Sequence, residues 1–422
     1  MVIGERYELE KDEELRIEVD LANKEENIMI ELLSGIGEIF GTEMVIGTKY
    51  KFHHGAKFSV YTYHGCALTV FGLNQTRPYK SKEHPMIQYL NVHSGLEDLR
   101  CKVDKEGLEM GPITMVVGPQ DVGKTTLCRL LVNYAVRQNR RPIFVDLDVA
   151  QCSISLPGTI AATLIERPAS IEEGFPQNAP LVYHYGHDHP RNNSVLYKDI
   201  VSEMAKTVRD RLKADKKAGS SGAIINTFGW VRGEGYSQLK HVATAFGVDV
   251  VIVLDQERVY NDLAKDLDEI KVLWLPKSNG VVERTQDQRN EEASNSIKEY
   301  FYGSNNSLFP HSFDVKFADL KERIYKIGAP SLPDSCMPLG MKAEDNQTKL
   351  VSVGLTPKDL LNHILAVSHG TVTEGLIKTN VQGFVVVTEV NVQDGKVSIL
   401  SPQPKPLPRT LLVLSDVKYI DR

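Results

Sequence analysis

The chain has no apolar run approaching the ~18 residues that a membrane-spanning helix needs, and no signal-peptide pattern opens it. Its 5 cysteines (Cys66, Cys101, Cys128, Cys152 and Cys336) are scattered, odd in number and without a C-x-x-C pair. That argues against a disulfide framework and suits reduced thiols in a cytosolic or nuclear protein. The net charge of -6 argues against a nucleic-acid partner held by overall charge, while leaving room for a local basic groove. Internal repeats and long low-complexity segments are missing too. A soluble intracellular protein with no membrane partner is expected.

What is present is ordinary in bulk and specific in detail. At 422 residues the chain is long enough for two or three domains, each with its own core. Hydrophobic residues at 41% and charged residues at 25% are globular values. Residues 1–98 alternate apolar and polar positions in Glu14–Val19, Ile28–Leu32 and Phe58–Tyr63. Gly35, Gly37, Gly41, Gly47, Gly55 and Gly65 punctuate these runs. This predicts an N-terminal β-sandwich. Met86–Leu99 reads as a strand or helix leading into a charged connector at Lys102–Gly107.

Residues 108–305 interleave apolar runs with helical periodicity. Ile113–Val117, Ile143–Asp148, Gly222–Thr227 and Val250–Asp255 read as buried strands. The expected architecture is α/β, a parallel sheet covered on both faces and flanked by two mostly-β domains. Residues 306–422 form the second of these. Phe384–Thr388 and Val397–Leu400 flank Asp394-Gly395, a hairpin signal. Pro402, Pro404, Pro406 and Pro408 make a stiff link to a last strand at Leu411–Leu414, or alternatively a ligand for a partner protein.

Gly118-Pro119-Gln120-Asp121-Val122-Gly123-Lys124-Thr125 fits the phosphate-loop pattern G-x-x-x-x-G-K-[ST] and lies between a predicted strand and a predicted helix, Thr126–Arg140. Glycines let the loop curl so that its N–H groups face inward, and the helix N-terminus favours anions. Gly118, Gln120, Asp121, Val122, Gly123, Lys124, Thr125 and Thr126 are therefore expected around the phosphates of a bound nucleoside triphosphate such as ATP. Lys124 would reach the β- and γ-phosphates, and the Thr125 hydroxyl would ligate Mg²⁺.

Ligands of such sheets bind at the carboxyl ends of strands, where further candidates cluster. Asp146 and Asp148 are placed on one side of the strand by its period of two. One would hold Mg²⁺, and Asp148, nearer the loop, would accept a proton; strand-end capping is the plainer alternative. Gln151 would orient an acceptor or a water. Thr227, Phe228, Gly229 and Trp230 end the third strand, and the Trp230 indole offers a stacking face for a base or a cover for the sheet edge. Arg284 and Arg289 lie in a polar segment that reads as an arginine lid or a solvated basic face. His184, His187 and His189 have metal-ligand spacing only loosely, so a loop lining the acceptor site is preferred to zinc. The fourth strand ends Asp255-Gln256-Glu257-Arg258, without the N-K-x-D of a guanine switch protein.

Taken together, the chain resembles the polynucleotide 5′-hydroxyl kinases of eukaryotic RNA processing. The shared strings are Glu14–Val19, Glu38–Glu43, the phosphate loop, Asn226–Trp230, Val281–Arg284, Lys326–Pro330 and Pro333–Gly340. The resemblance implies transfer of the ATP γ-phosphate, with Mg²⁺, to the 5′-hydroxyl of RNA. It implies work in the nucleus with subunits of the mRNA cleavage factor and the tRNA-splicing endonuclease. It implies that Lys124 and Thr125 bind phosphate and Mg²⁺, and that Asp148 activates the hydroxyl. Thr227–Trp230 would clasp the loop and the terminal nucleotide, Arg284 and Arg289 would form the lid, and Glu14 would approach the adenine. Two positions depart from the family pattern: Ala150 stands where glycine is usual, and Gln120 where threonine is common. The C-terminal part carries no readable chemistry and by resemblance docks partners or braces the core.

Three functions compete. The retention of Lys124, Asp148, Trp230, Arg284 and Arg289 favours an active kinase over a catalytically inactive, ATP-bound scaffold of the cleavage and polyadenylation machinery. The third, a plain ATPase, would hydrolyse ATP without a polynucleotide acceptor.

Overall fold

Five apolar residues, Ile113–Val117, form the strand on which the central layer is built, and all of them are buried. In the computed structural model, which describes residues 4–21, 26–73, 76–176, 179–304, 306–328, 346–352 and 356–421, this strand sits between two parallel neighbours. Cys336 and the strings Ala329-Pro330 and Pro333–Gly340 lie outside the described residues.

The N-terminal part is a two-sheet sandwich. Its strands are β1 (Gly4–Leu9), β2 (Glu13–Glu18), β3 (Asn27–Gly35), β4 (Glu38–Ile39), β5 (Thr42–Glu43), β6 (Lys49–His53), β7 (Lys57–Thr62), β8 (Cys66–Phe71) and β9 (Tyr79–Ser81). One sheet runs β1-β8-β3-β6 and the other β5-β4-β7-β2-β9. Alternating side chains of both, among them Leu15, Ile17, Ile28, Ile30, Val60, Leu68 and Val70, fill the space between them. Helix α1 (Met86–Glu106) follows, so the expected charged connector is its last turns, closed by Gly107 in the left-handed conformation that glycine takes without strain.

The four expected strands do form a parallel sheet, and two further strands at one edge make the whole sheet mixed. Its order is β13-β12-β11-β14-β10-β15-β16, built from β10 (Ile113–Val117), β11 (Ile143–Asp146), β12 (Thr159–Leu164), β13 (Leu181–His184), β14 (Ala223–Asn226), β15 (Val250–Leu254) and β16 (Lys271–Leu275). The run from β11 to β16 is parallel, but β12 and β13 pair antiparallel at one edge. The connection from Asp146 to Thr159 carries no helix, and the chain turns back antiparallel beside β11 instead of crossing over. Helices α2 (Lys124–Arg137), α3 (Ser194–Ala214), α4 (Lys216–Ser221), α5 (Glu234–Phe246), α6 (Glu257–Asp266) and α7 (Gln286–Tyr302) complete this layer.

The C-terminal part contains β17 (His311–Lys316), α8 (Phe317–Lys321), β18 (Ile324–Ile327), β19 (Leu350–Ser352), β20 (His363–Ser368), β21 (Val381–Asn391), β22 (Lys396–Ser401) and β23 (Leu412–Lys418). The sheet order is β17-β22-β21-β20-β23-β18-β19. The expected hairpin is β21–β22, with Gly395 at φ 59° in its turn. The proline link leads to β23, which enters the middle of the sheet between β20 and β18.

Buried polar contacts join the parts. Asn133 of α2 donates to the Phe40 carbonyl at 2.8 Å and accepts from the Ala169 N–H at 2.9 Å. Tyr134 of α2 donates to Glu38, and Arg137 meets the same carboxylate at 2.8 Å. The Tyr300 hydroxyl of α7 accepts from the Phe384 N–H of β21 at 3.0 Å. Because these groups are largely dry, losing one partner strands the other.

Candidate functional site

The phosphate loop leaves β10 and feeds α2, whose N-terminal residue Gly123 has φ 88°. No side chain caps this helix start. Its first N–H groups therefore remain available to an anion, and the helix field favours one. The loop is bounded on one side by Gly229. A Cβ there would lie 2.4 Å from Gln120 Cγ and 2.8 Å from the Gln120 N, so only glycine lets the clasp approach this closely. Opposite it, Val281 would touch a Cβ on Gly123 at 3.1 Å.

Lys124 is buried, and its ammonium donates to the Pro119 carbonyl at 2.7 Å. Burial lowers its proton affinity, opposed chiefly by the charge of Asp148. Burial likewise raises the Asp148 carboxyl, with Lys124 opposing and the N–H groups of Ala150 and Gln151 bonding to it. Lys124 and Asp148 thus line one cavity and feel each other's charge.

Asp146 lies elsewhere than the sequence suggested. The strand ends at Asp146, so Asp148 belongs to the turn beyond and the period-of-two argument does not reach it. Asp146 is fully buried and accepts from the Asp148 N–H at 3.1 Å, the Ser153 N–H at 2.8 Å, the Ser153 hydroxyl at 2.6 Å and Asn226 Nδ2 at 2.9 Å. Burial, then the neighbouring Asp148, pushes its carboxyl up to about 6. It meets Thr125 only through Asn226, whose Nδ2 lies 3.3 Å from the Thr125 hydroxyl. Asn226 Oδ1 is buried without a partner. An exposed hydroxyl beside an unspent acceptor fits a hydrated Mg²⁺ held by Thr125, with Asp146 behind it orienting Asn226.

The arginines converge on the loop. Arg284 precedes α7 and donates from its backbone N–H and its Nε to Asp121, at 3.1 and 3.0 Å. Arg289, in the first turn of α7, bonds the same carboxylate. Arg284 Nη1 also reaches Glu292 at 2.6 Å, and Gln151 Nε2 lies 3.2 Å from that carboxylate. Thr285 starts the helix with a capping box to Gln288, which fixes where the pair of arginines begins.

One cavity of about 1050 Å³ runs through these groups, lined by Glu14 and Arg16, by the loop residues Gln120–Thr126, by Asp148 and Gln151, and by Arg284 and Arg289. Glu14 pairs with Arg16 at 2.5 Å, and Arg16 is held by the Glu83 carbonyl at 2.7 Å. The N-terminal sandwich thereby closes the end of the cavity nearest its own β2.

Thr227 is buried and its hydroxyl donates to the Val116 carbonyl at 2.7 Å, so it roots the clasp and does not face the cavity. Trp230 stands behind the cavity wall: the His189 ring, which lines the cavity, is centred 5.4 Å from it, and the Arg191 guanidinium lies 4.9 Å above it. The histidines separate. His184 is buried in β13, a strand where a loop was expected, His187 meets Asp416 at 2.7 Å, and His189 Nδ1 accepts from the Arg191 N–H at 3.0 Å. Sequence reasoning missed Arg16, Asn226, Arg191 and the C-terminal Asp416. Asn226 alone had a signal, its place at the end of a strand beside the loop strand.

The fold and loop define a P-loop nucleotide-binding protein with one large cavity beside the loop. The chain belongs to the Clp1 family of mRNA cleavage and polyadenylation factors. Residues 118–303 match the family described as mRNA cleavage and polyadenylation factor CLP1 P-loop, and residues 308–421 match pre-mRNA cleavage complex II protein Clp1. Residues 8–103 match the N-terminal beta-sandwich domain of polyadenylation factor. The Protein CLP1 homolog of Anopheles gambiae is 56% identical over 417 residues, 98% of this chain and 97% of that protein. Its namesake in Drosophila melanogaster is 52% identical over 422 residues, covering 99% of this chain and 98% of that protein. A solved Clp1p–Pcf11p complex superposes with TM-score 0.85 at 26% identity, over 100% of this chain and 99% of the solved one. A second, with TM-score 0.84 at 26% identity over 100% of both chains, describes an extended Pcf11p–Clp1p interface and ATP loss in a glycine-to-arginine point mutant.

Proposed function

We propose that the protein is an ATP-dependent polynucleotide kinase that moves the γ-phosphoryl group of ATP to the 5′-hydroxyl of RNA. The observation that carries this reading is that Lys124 and Asp148 line one cavity beside a loop whose Asp121 gathers both Arg284 and Arg289. A scaffold that only holds nucleotide has no need of a carboxylate on the cavity wall beside the loop lysine.

The residues divide the work. Gly118, Gln120, Asp121, Val122, Gly123 and Thr126 shape the phosphate cradle, and Glu14 borders the end away from it. Lys124 leaves the Pro119 carbonyl for the phosphates. Asp148 accepts the proton of the 5′-hydroxyl as its oxygen bonds to γ-phosphorus and the bond from γ-phosphorus to the β,γ-bridging oxygen breaks. Arg284 and Arg289 neutralise charge on the equatorial oxygens, a task that is mostly positioning. Thr125, with Asp146 and Asn226 behind it, would hold Mg²⁺, which would supply further charge neutralisation. Gln151, Gly229 and Trp230 hold the acceptor side, with Thr227 as root. The division at 1–98, 108–305 and 306–422 assigns nucleotide closure, chemistry and bracing to separate parts. RNA processing in the nucleus, with subunits of the mRNA cleavage factor and of the tRNA-splicing endonuclease, is the setting this reading implies. A Pcf11-like subunit is among the partners.

Transfer of labelled γ-phosphate to a short 5′-hydroxyl RNA tests the proposal, with 5′-phosphorylated RNA and the Lys124→Ala protein as controls. Transfer to the 5′-hydroxyl RNA alone, lost in the variant, is expected. Bound ATP without transfer overturns the kinase in favour of the scaffold. Release of inorganic phosphate with no labelled RNA means a plain ATPase.

A further inference from the structure

The cavity continues past Asp148. Its wall there consists of Pro157, Asp188 and His189 together with Asp416, Val417 and Lys418 from β23. At about 1050 Å³ the space lies at the upper limit of the ~300–1,000 Å³ usual for one small ligand. A nucleoside triphosphate on the loop therefore leaves room at this end. We propose that β23 forms one wall of the acceptor channel and that Lys418 contacts a backbone phosphate of a single-stranded polynucleotide just behind its 5′ end. The inference rests on the kinase reading and extends it to a part of the chain without assigned chemistry.

The strand is firmly placed. The Asp416 N–H donates to the Gly186 carbonyl at 2.8 Å, and the Ser415 hydroxyl donates to the same oxygen at 3.2 Å. A Cβ on Gly158 would meet Val417 Cγ2 at 3.1 Å, so the loops after β11 and β13 both pack on this strand. Asp416 is occupied by His187 at 2.7 Å and Lys326 at 3.0 Å. The His187 pair ties the C-terminal sheet to the loop that carries His189, and the Lys326 pair braces Asp416 from within that sheet.

Lys418 is different. It is exposed on the cavity wall and makes no ion pair among the described residues. Nearby, His189 bridges the cavity to the Trp230 face, which Arg191 covers at 4.9 Å. A cation on one wall and the His189 ring on the cavity lining are the kinds of group with which proteins hold single strands without reading sequence. With a net charge of -6, such binding must come from local cations of this kind.

The test uses the full chain with Lys418→Ala, Lys418→Glu and Lys418→Arg. Binding of a labelled 5′-hydroxyl RNA of about ten nucleotides is followed by anisotropy across a salt series, and KM is measured for RNA and for ATP. Lys418→Ala should weaken RNA binding roughly threefold to fivefold and flatten the slope of log K against log salt by about 0.7. Lys418→Glu should weaken it further, Lys418→Arg should restore it, and KM for ATP should stay unchanged. Identical affinity and salt slope in all variants overturn the proposal, as does an equal shift in KM for ATP. If the unmodified protein transfers no phosphate, the kinase reading fails while the binding series still decides the role of Lys418.

Discussion

Arg284 grips Asp121 through two atoms at once, its backbone N–H at 3.1 Å and its Nε at 3.0 Å, so the lid is fastened to the phosphate loop itself. Burial alone would raise the Asp121 carboxyl, but Arg284 and Arg289 more than offset this and hold it below its ordinary range. In the proposed kinase the same contact would preposition both guanidinium groups beside the transferring phosphoryl group. Arg284→Ala and Arg289→Ala should each lower kcat by ~10³-fold in the γ-phosphate transfer assay. A variant with an unchanged rate would show that its arginine serves only as a counter-ion to Asp121.

Trp230 touches the cavity through His189, so its removal should act on the acceptor more than on the nucleotide. A base that displaced His189 from the indole would gain ~1–3 kcal/mol by stacking, which predicts a rise of roughly five- to a hundred-and-fiftyfold in KM for RNA in Trp230→Ala. Equal loss of ATP and RNA binding, read by titrating each ligand separately, would make the indole a structural cover instead.

Gly229 is the cheapest way to disturb the phosphate loop from outside. In Gly229→Ala the new methyl would lie 2.4 Å from Gln120 Cγ and 2.8 Å from the backbone N of Gln120, which forces the loop or the clasp to move. ATP affinity, measured by calorimetry, should fall at least tenfold while far-ultraviolet dichroism stays the same. Unaltered affinity would mean that the clasp gives way without touching the loop.

His93 gives a prediction about pH. Burial lowers its pKa to about 4, with Arg100 and Arg137 also disfavouring the cation and Glu97 opposing them. Its unfolded value is 6.5, so the folded state binds the proton less well. Stability from this group is therefore complete above pH 6.5 and is lost as pH falls toward 4. One such histidine should cost roughly 2 kcal/mol between pH 7 and 5. The denaturant midpoint should fall over that window, and His93→Gln should flatten the fall. Parallel curves for both proteins would refute it.

The sequence showed the loop because a phosphate site is local: one strand, one glycine-rich turn and one helix carry all of it. The buried runs of β10, β11, β14 and β15 were legible for the same reason. Strands β12 and β13 went unread although Pro157-Gly158 sets off Thr159–Leu164 and Pro180 and Gly186 bracket Leu181–His184, and their antiparallel place at the sheet edge is set by pairing with residues distant in the chain. The fate of Asp146 depended on Ser153 and Asn226, whose side chains reach it only once the turn has closed. Arg16 and Glu14 read as an ordinary alternating strand, and only the packing of that strand against the central part puts them in the cavity. Lys418 stands almost three hundred positions from Lys124, and no periodicity spans such a distance.

That a single cavity takes wall residues from the first, middle and last parts of the chain has a consequence beyond recognition. Any ligand bound there is a tie between three separately packed cores, and its binding free energy adds to their mutual adhesion by RT ln(1 + [L]/Kd). At a hundredfold excess over Kd that is about 2.7 kcal/mol, comparable to a good disulfide in a chain whose described cysteines are all unpaired. The lifetime of the assembled fold is in this way indexed to the supply of the molecule it holds.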